Sequence, residues 1–281
     1  MAGEVRIGFS MHPRWVGDEG AEAFLAPLRR AGLSALEFEL DDRLEGWPAF
    51  VPLMEAAFAM GLGLSFHAPY RPPRNLAGFA GAERERIQAD LGPLLAIAEG
   101  WARRSPACRT VVMHAASGQA PVDRGALVVD TFHYLNWVLE AFPYLELALE
   151  NNHPERPGEA RVGVEPGDVL ALLDAVDSPR LGACWDLGHD YLRAGTTQPA
   201  PEWLERVVHV HVHDADGDGT DHFPLVFGNV PVERWLRAWR DLGGRGSVIL
   251  ELKGGLLKGW SAGRIAGALQ GSIARLHEVL A

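Results

Sequence analysis

Histidine occupies every second position in the stretch VVHVHVHDADGDGTDH, residues 207–222. His209, His211 and His213 alternate with valines there, ahead of an acidic, glycine-broken run. Period-two spacing puts side chains on one face of a β-strand, and valine favours that conformation. Elsewhere single polar residues close apolar runs in the same manner: His67 in GLSFH, His114 in VVMH, Glu150 in LALE, Asp186 in ACWD and Glu251 in VILE, with His211 closing VVHVH. Burying an imidazole or a carboxylate at such a place is costly unless it is paired or bound to a metal. A lone strand-end histidine or acid is ordinarily a hydrogen-bonded structural residue. Six in succession point to a divalent-metal centre.

The ligand types narrow the ion. Imidazole with carboxylate suits Zn²⁺, Mn²⁺, Co²⁺ or Fe²⁺, and an all-oxygen Mg²⁺ or Ca²⁺ cage suits the set less well. The expected cofactor is therefore a divalent ion among Mn, Zn, Co or Mg, one ion first, with two or three as extensions. Glu150, Asp186, His211 and Glu251 are the candidates for one ion. With Glu150 or Glu251 bridging, His67 and His114 could complete a second site. His209 lies deeper on the same face and reads as a core or supporting residue, whereas His213 is higher and could reach substrate or orient a ligand.

A second tier of polar residues surrounds these. His189 falls three positions after Asp186 in WDLGHDY, where a helix should begin, and His222 returns toward the same region after the histidine-rich strand. Asn152, beside Glu150, offers an amide to hydroxyl groups. Lys253, two positions after Glu251, could meet a phosphate or enediolate oxygen, or form a rim salt bridge. Asp214, Asp216 and Asp218 resemble a calcium loop superficially, but the glutamate at its twelfth position and the flanking helix pair are missing. Other conspicuous residues read as bland. The acids of EFELDD, 37–42, are expected to be solvated at the end of the second strand. His133 and His277 lie in helical segments. Trp15, Trp47 and Trp185 could line a pocket, but tryptophans mostly pack cores.

The elements that must carry these residues alternate regularly. Predicted strands cover 6–10, 35–40, 62–68, 110–115, 145–151, 181–186, 207–213 and 248–253. Predicted helices cover 19–32, 47–60, 81–103, 122–141, 166–175, 188–194, 231–242 and 260–279. Two long loops, 153–165 and 214–230, each follow a strand. Eight strand-then-helix units in about 250 residues predict an α/β fold, a closed (β/α)₈ TIM barrel, over an open doubly wound sheet. The candidate ligands then fall where such barrels do their chemistry, at the C-terminal ends of the strands. No linker-like stretch divides the chain, so a single domain spanning 1–281 is expected.

At 281 residues and 47% apolar composition the chain can bury a sizeable core. A formal charge of −11 disfavours broad attraction to nucleic acid or anionic membrane. Its longest apolar runs fall short of the roughly 18–20 residues of a membrane span. The start, MAGEVRIGFS, lacks a signal-peptide pattern. Cys108 and Cys184 make no disulfide framework, so a reducing, cytoplasmic setting is the expectation.

The motifs FHAPY, MHAAS, LENN, WDLGHDY, HVHDADG…DHFPLVFGN and LEL resemble those of the xylose isomerase-like TIM barrel superfamily, which holds sugar phosphate isomerases/epimerases and endonuclease IV. The resemblance runs in order over nearly the whole chain. Like the epimerase branch, it implies one divalent ion on Glu150, Asp186, His211 and Glu251, with the two glutamates as an acid/base pair. One removes a proton next to a carbonyl, the metal polarises that carbonyl and holds the enediolate, and the other returns a proton. His189 would touch a substrate hydroxyl. That branch places an arginine soon after the strand-seven histidine, where this chain has Gly217 and Asp218, which puts any particular ketose in doubt.

Like endonuclease IV, the resemblance implies a three-zinc phosphodiesterase. His67, His114 and Glu150 then form one site, and Asp186, His211 and Glu251 another with Glu150 bridging. His189 and His222 belong to a third, whose expected aspartate position holds Thr220, with Asp221 one residue off. A nuclease also needs cations on its loops. This chain offers DDRLEGW and DADGDGTD, with only PYRPPR basic. The expectation is therefore a metal-dependent isomerase or epimerase acting on a small sugar, sugar phosphate or polyol. The alternatives are a zinc phosphodiesterase and an inosose-type dehydratase. Barrels of this kind often pair through surface helices, so a homo-oligomer is compatible with this reading.

Overall fold

The computed structural model describes residues 5–16, 18–40, 47–71, 74–119, 121–216, 218, 220–255 and 257–281. The tail of EFELDD (Asp41 and Asp42), the first part of DDRLEGW, Pro72 and Pro73 of PYRPPR, Gly217 and Gly219, and the side chain of Trp47 lie outside the described residues.

Parallel strands β1 (Val5–Ser10), β2 (Ala35–Glu39), β3 (Gly63–His67), β4 (Thr110–His114), β6 (Glu146–Glu150), β8 (Leu181–Asp186), β9 (Val207–Val212) and β10 (Gly246–Leu250) close into a barrel, with β10 paired to β1. The expected TIM-barrel class is what forms. Helices α1 (Ala21–Arg30), α2 (Val51–Ala59), α3 (Arg84–Arg104), α4 (Arg124–Ala141), α5 (Pro166–Val176), α6 (Leu187–Ala194), α7 (Pro201–Leu204), α8 (Val232–Asp241) and α9 (Ala262–Leu280) connect them. Among the described residues, no helix is long and apolar enough to cross a membrane.

Alternation along each strand sorts the side chains into two layers. Leu36 and Phe38, Leu64 and Phe66, Val111 and Met113, Leu147 and Leu149, Val210 and Val212, and Val248 and Leu250 belong to one continuous buried apolar cluster with the helices. The other face turns inward. There Val112, Ala148 and Cys184 form only a small separate cluster, and polar residues occupy much of the remaining interior: Glu37, Ser65 and His209 are all buried. Gly8 lets neighbouring strands approach closely, since a Cβ there would stand 2.4 Å from the Ala35 carbonyl oxygen.

Register then sets the heights of the polar ends. His114 pairs with Glu150 across β4 and β6, Asp186 with His211 across β8 and β9, and Ile249 with His211 across β9 and β10. The last strand begins and ends earlier than its apolar pattern suggested, so Glu251 is the first residue past β10 and His213 the first past β9. Within the loop 153–165 lies an unforeseen strand, β7 (Glu159–Arg161), which pairs antiparallel with β5 (Ser117–Gln119) to form a small wall beside the barrel mouth. Three residues per strand are too few to register as a periodic signal.

Acidic side chains hold much of the second long loop. Buried Asp214 accepts backbone N–H bonds from Phe227 and Gly228 at 2.6 Å, Asn229 at 3.2 Å and Val230 at 3.4 Å. Asp216 accepts from the Asp218 and Thr220 backbones. These acids tie the loop to itself, which accounts for them without calcium. His133 and His277 are exposed on α4 and α9. Trp185 packs against Trp235 and donates to Asp190, away from any mouth cavity. Trp15 is buried, bordering a small recess with His12 and Gly254.

Candidate metal centre and active site

Glu150 is fully buried at the end of β6 and faces four imidazoles. Its Oε2 stands 3.2 Å from His67 Nε2 and 3.1 Å from His114 Nε2. Its Oε1 stands 3.5 Å from His189 Nδ1 and 3.6 Å from His211 Nδ1. Glu251, just past β10, also reaches this group, with Oε2 3.3 Å from both His211 Nδ1 and His222 Nε2. His211 therefore stands between the two glutamates. Asp186 borders this group but turns to other partners: His213 Nε2 at 3.1 Å and the backbone N–H of His189 at 2.7 Å, which makes Asp186 the N-cap of α6.

The outer nitrogens of three rings decide what the inner ones can do. His67 Nδ1 faces the Ala68 carbonyl at 3.0 Å, His114 Nδ1 faces Asn152 Oδ1 at 2.7 Å, and His189 Nδ1 faces the Asn151 carbonyl at 2.9 Å. Each partner is an acceptor, so each Nδ1 carries the proton and Nε2 is left with a lone pair. The Asn152 orientation follows from its Nδ2, which donates to the Val162 carbonyl. In His67 and His114 that lone pair points at a carboxylate oxygen, an arrangement that a metal ion or a second ring proton between them would neutralise.

Orphaned atoms agree. Glu150 Oε1, His211 Nδ1 and Glu251 Oε2 are buried without hydrogen-bond partners. Their separations from His211 Nδ1 are 3.6 and 3.3 Å. Ligands each about 2.0–2.2 Å from a shared ion stand roughly 3–3.5 Å apart. The residues fit a divalent ion. Without one, protons must do the neutralising. Burial opposes ionisation of Glu150, yet His114 and His211 hold its carboxyl well below the ordinary range. Burial likewise opposes protonation of His67, and Glu150 raises it to about 9 regardless. His222, also buried, is raised to about 10 by Glu251 and Asp221.

Beneath the centre lies a correction to the sequence expectation. Glu37 of EFELDD is not solvated: it is 1% exposed, inside the barrel on β2. Its Oε2 accepts from Ser65 Oγ at 2.9 Å and from His209 Nε2 at 3.0 Å, and its Oε1 stands 2.8 Å from His211 Nε2. His209 is thus a supporting residue under the centre. Burial disfavours the Glu37 charge, but His211 and His209 keep its carboxyl far below the ordinary value. Burial holds the His209 ring below its own ordinary value, whereas against the same burial Cys184 and the carboxylates of Glu37, Glu251 and Glu150 raise His211.

Two cavities of about 510 and 440 Å³ open above the centre and share Tyr70, Arg71, His222, Glu251 and Lys253. The larger is walled by Gln119, Glu159 and Arg161 of the β5–β7 pair, with Arg156, His153 and Asn152. His189 and His222 reach this cavity. Lys253 lines it too, and its Nζ donates to Asp221 Oδ1 at 2.8 Å, the rim salt bridge weighed above. Asn152 lines it while its amide is engaged with His114 and Val162. His213 is fully buried and faces Asp186, not the cavity. Sequence reading passed over Tyr70, whose ring stacks on His114 at 3.9 Å. Its position three residues after His67 in FHAPY was the available signal.

A closed (β/α)₈ barrel with converging imidazoles and carboxylates at its C-terminal mouth defines the class. The chain belongs to the xylose isomerase-like TIM barrel family, whose model matches residues 25–271. Its fold is similar to that of a D-tagatose 3-epimerase-like protein (20% identity, TM-score 0.71, covering 98% of this chain and 97% of the other). It is also similar to D-psicose 3-epimerase from Clostridium cellulolyticum H10 (14%, 0.71, 98% and 99%). A third similar fold is 3-keto-D-glucoside 4-epimerase from E. coli (15%, 0.67, 98% and 100%). No curated protein matches it significantly by sequence.

Proposed function

We propose that this protein is a divalent-metal-dependent isomerase or epimerase of a small keto sugar, free or phosphorylated. The carrying observation is the pair Glu150 and Glu251, which both approach His211 Nδ1, at 3.6 and 3.3 Å, beneath a cavity of about 510 Å³. Glu150, Asp186, His211 and Glu251 hold one ion, and His67 and His114 with Glu150 offer a second position. The ion supplies electrophilic polarisation of the substrate carbonyl, which makes the neighbouring C–H acidic. Glu150 and Glu251 do the proton transfer, one removing the proton and the other returning one. Burial opposes the ionised form of both carboxyls and their imidazole neighbours favour it; the step needs one of the two as carboxylate to take the proton and the other as the acid that returns one. His189 and His222 meet hydroxyls at the cavity floor, and Tyr70 covers His114. Arg71, Arg156, Arg161 and Lys253 give the outer wall cations that suit hydroxyl or phosphate groups in an otherwise acidic protein.

The test is hydrogen exchange. Protein loaded with Mn²⁺, Co²⁺ or Zn²⁺ is incubated with a panel of ketoses and ketose phosphates in D₂O, and deuterium next to the carbonyl is followed by NMR. Exchange that Glu150→Gln and Glu251→Gln each abolish is the expected outcome. A panel with no exchange defeats the proposal.

A second reading has one observation in its favour: Asp186, His189, His213 and His222 also bring ligand-type atoms within 4.8 Å of one another, beside the group of His67, His114 and Glu150. Several ions would suit a phosphodiesterase. Incision of an abasic-site duplex with Zn²⁺, lost in Glu150→Gln, would replace the isomerase reading.

A further inference from the structure

We propose that His213 is a positioning residue of the metal centre: it aims Asp186 and fixes the turn at His222 without coordinating the ion. The inference rests on the metal reading above and concerns a residue that reading leaves without a role. His213 directly follows β9 and is fully buried. Its Nδ1 accepts the backbone N–H of His222 at 3.0 Å. A ring nitrogen that accepts carries no proton, so the proton of the neutral ring is on Nε2. That Nε2–H donates to Asp186, standing 3.1 Å from Oδ1 and 3.2 Å from Oδ2.

His213 therefore has the opposite tautomer to His67, His114 and His189. Those three carry their proton on Nδ1, facing oxygens, and present an Nε2 lone pair. His213 has no lone pair left to give. Its bond and that of the His189 backbone hold the Asp186 carboxylate from two directions, leaving its remaining lone pairs for a cation.

The surroundings admit this ring specifically. A Cβ on Gly188, in the first turn of α6, would stand 1.8 Å from His213 Cε1 and 2.4 Å from each ring nitrogen. Residue 188 must therefore lack a side chain for the ring to lie there. On the other face the His222 ring stacks at 4.0 Å and 12°. His222 is one of two non-glycine residues with positive φ among the described residues, at 65°. Left-handed backbone is disfavoured for such a residue, and the bond to His213 Nδ1 offsets that cost. One imidazole thus couples Asp186 on β8 to the loop that carries His222 over the cavity.

The experiment is ¹⁵N NMR of the imidazole nitrogens in the full chain, with the His213 signals assigned by their loss in His213→Gln. The expected result is a protonated Nε2 and an unprotonated Nδ1, both before and after Co²⁺ is added. A proton on Nδ1, or loss of the Nε2 proton when Co²⁺ binds, overturns the proposal. Co²⁺ affinity by chelator competition is the second readout. His213→Gln, which keeps one donor and one acceptor, should stay within about threefold of the parent, while His213→Leu and Gly188→Ala should each weaken binding by about 10–100-fold. Unchanged affinity in His213→Leu, or a Gln variant as weak as Leu, sinks the positioning role. Neither readout needs a substrate, so a failed sugar panel leaves this test intact; no Co²⁺ uptake by the parent protein defeats the metal reading itself.

Discussion

His114 and Glu150 end neighbouring strands in register, and the imidazole Nε2 stands 3.1 Å from the carboxylate Oε2. Because Asn152 takes the proton on the far nitrogen, two electron-rich atoms confront each other inside the barrel. The centre is built to be completed by positive charge.

Glu150→Gln should therefore act twice. The amide keeps the size but loses the charge that faces His67, His114 and His211. Proton exchange on any accepted ketose should fall by about 10²–10⁴-fold, the usual contribution of a positioned acid or base. Metal content per chain, measured by elemental analysis, should fall as well.

Metal removal gives a reading that does not depend on activity. A cation bound at 100 times its dissociation constant stabilises the native state by about 2.7 kcal/mol. Chelator treatment should lower the melting temperature by roughly 5–10 °C for a chain of this length. Adding back Mn²⁺, Co²⁺ or Zn²⁺ should restore it. A melting curve indifferent to chelator counts against a resident ion.

Glu37 should matter to stability more than its place in an acidic sequence run suggests. Glu37→Ala leaves His209, His211 and Ser65 facing a void, and loss of one partner from a buried ionic group costs about 3–5 kcal/mol. Its pH dependence has a definite sign. The folded carboxyl lies below its ordinary value of 4.5, so its stabilisation is fully present above that value and is lost as pH falls beneath it. Denaturant titrations of the metal-free parent and Glu37→Gln should differ most near neutrality, and the gap should narrow below about pH 4. A constant gap across that range contradicts the buried-pair account.

Asp214→Ala should loosen the loop 214–230 while sparing the barrel. Four N–H groups from Phe227 to Val230 lose their acceptor. Unsatisfied groups of this kind cost about 1–3 kcal/mol each when they stay buried. Amide hydrogen exchange should rise across residues 223–230 with little change in β9, and the effect on any sugar should fall on KM more than on kcat, because His222 is carried by this loop.

Much of the architecture was legible in one dimension. Parallel barrel strands are buried on both faces, so they appear as short apolar runs, and a polar residue closing such a run stands out. His67, His114, Glu150, Asp186, His211 and Glu251 were visible for that reason. Glu37 was not: its run, EFELDD, looks like a strand dissolving into solvent, and the nearer of its two imidazole partners, His209, lies 172 positions away in sequence. The β5–β7 wall escaped for a different reason, being too short to have a period.

Sequence alone determined the alternation of strand and helix, and with it which residues reach the mouth of the barrel, because periodicity and burial cost are properties of local segments. Only the tertiary structure decided which ring faces which oxygen. A histidine's proton is placed by whatever lies across the gap, and His114 and His213 differ in that placement because a side-chain amide oxygen meets one and a backbone N–H meets the other. No pattern along the chain records that difference, since it is created when distant segments are brought within about 3 Å of each other.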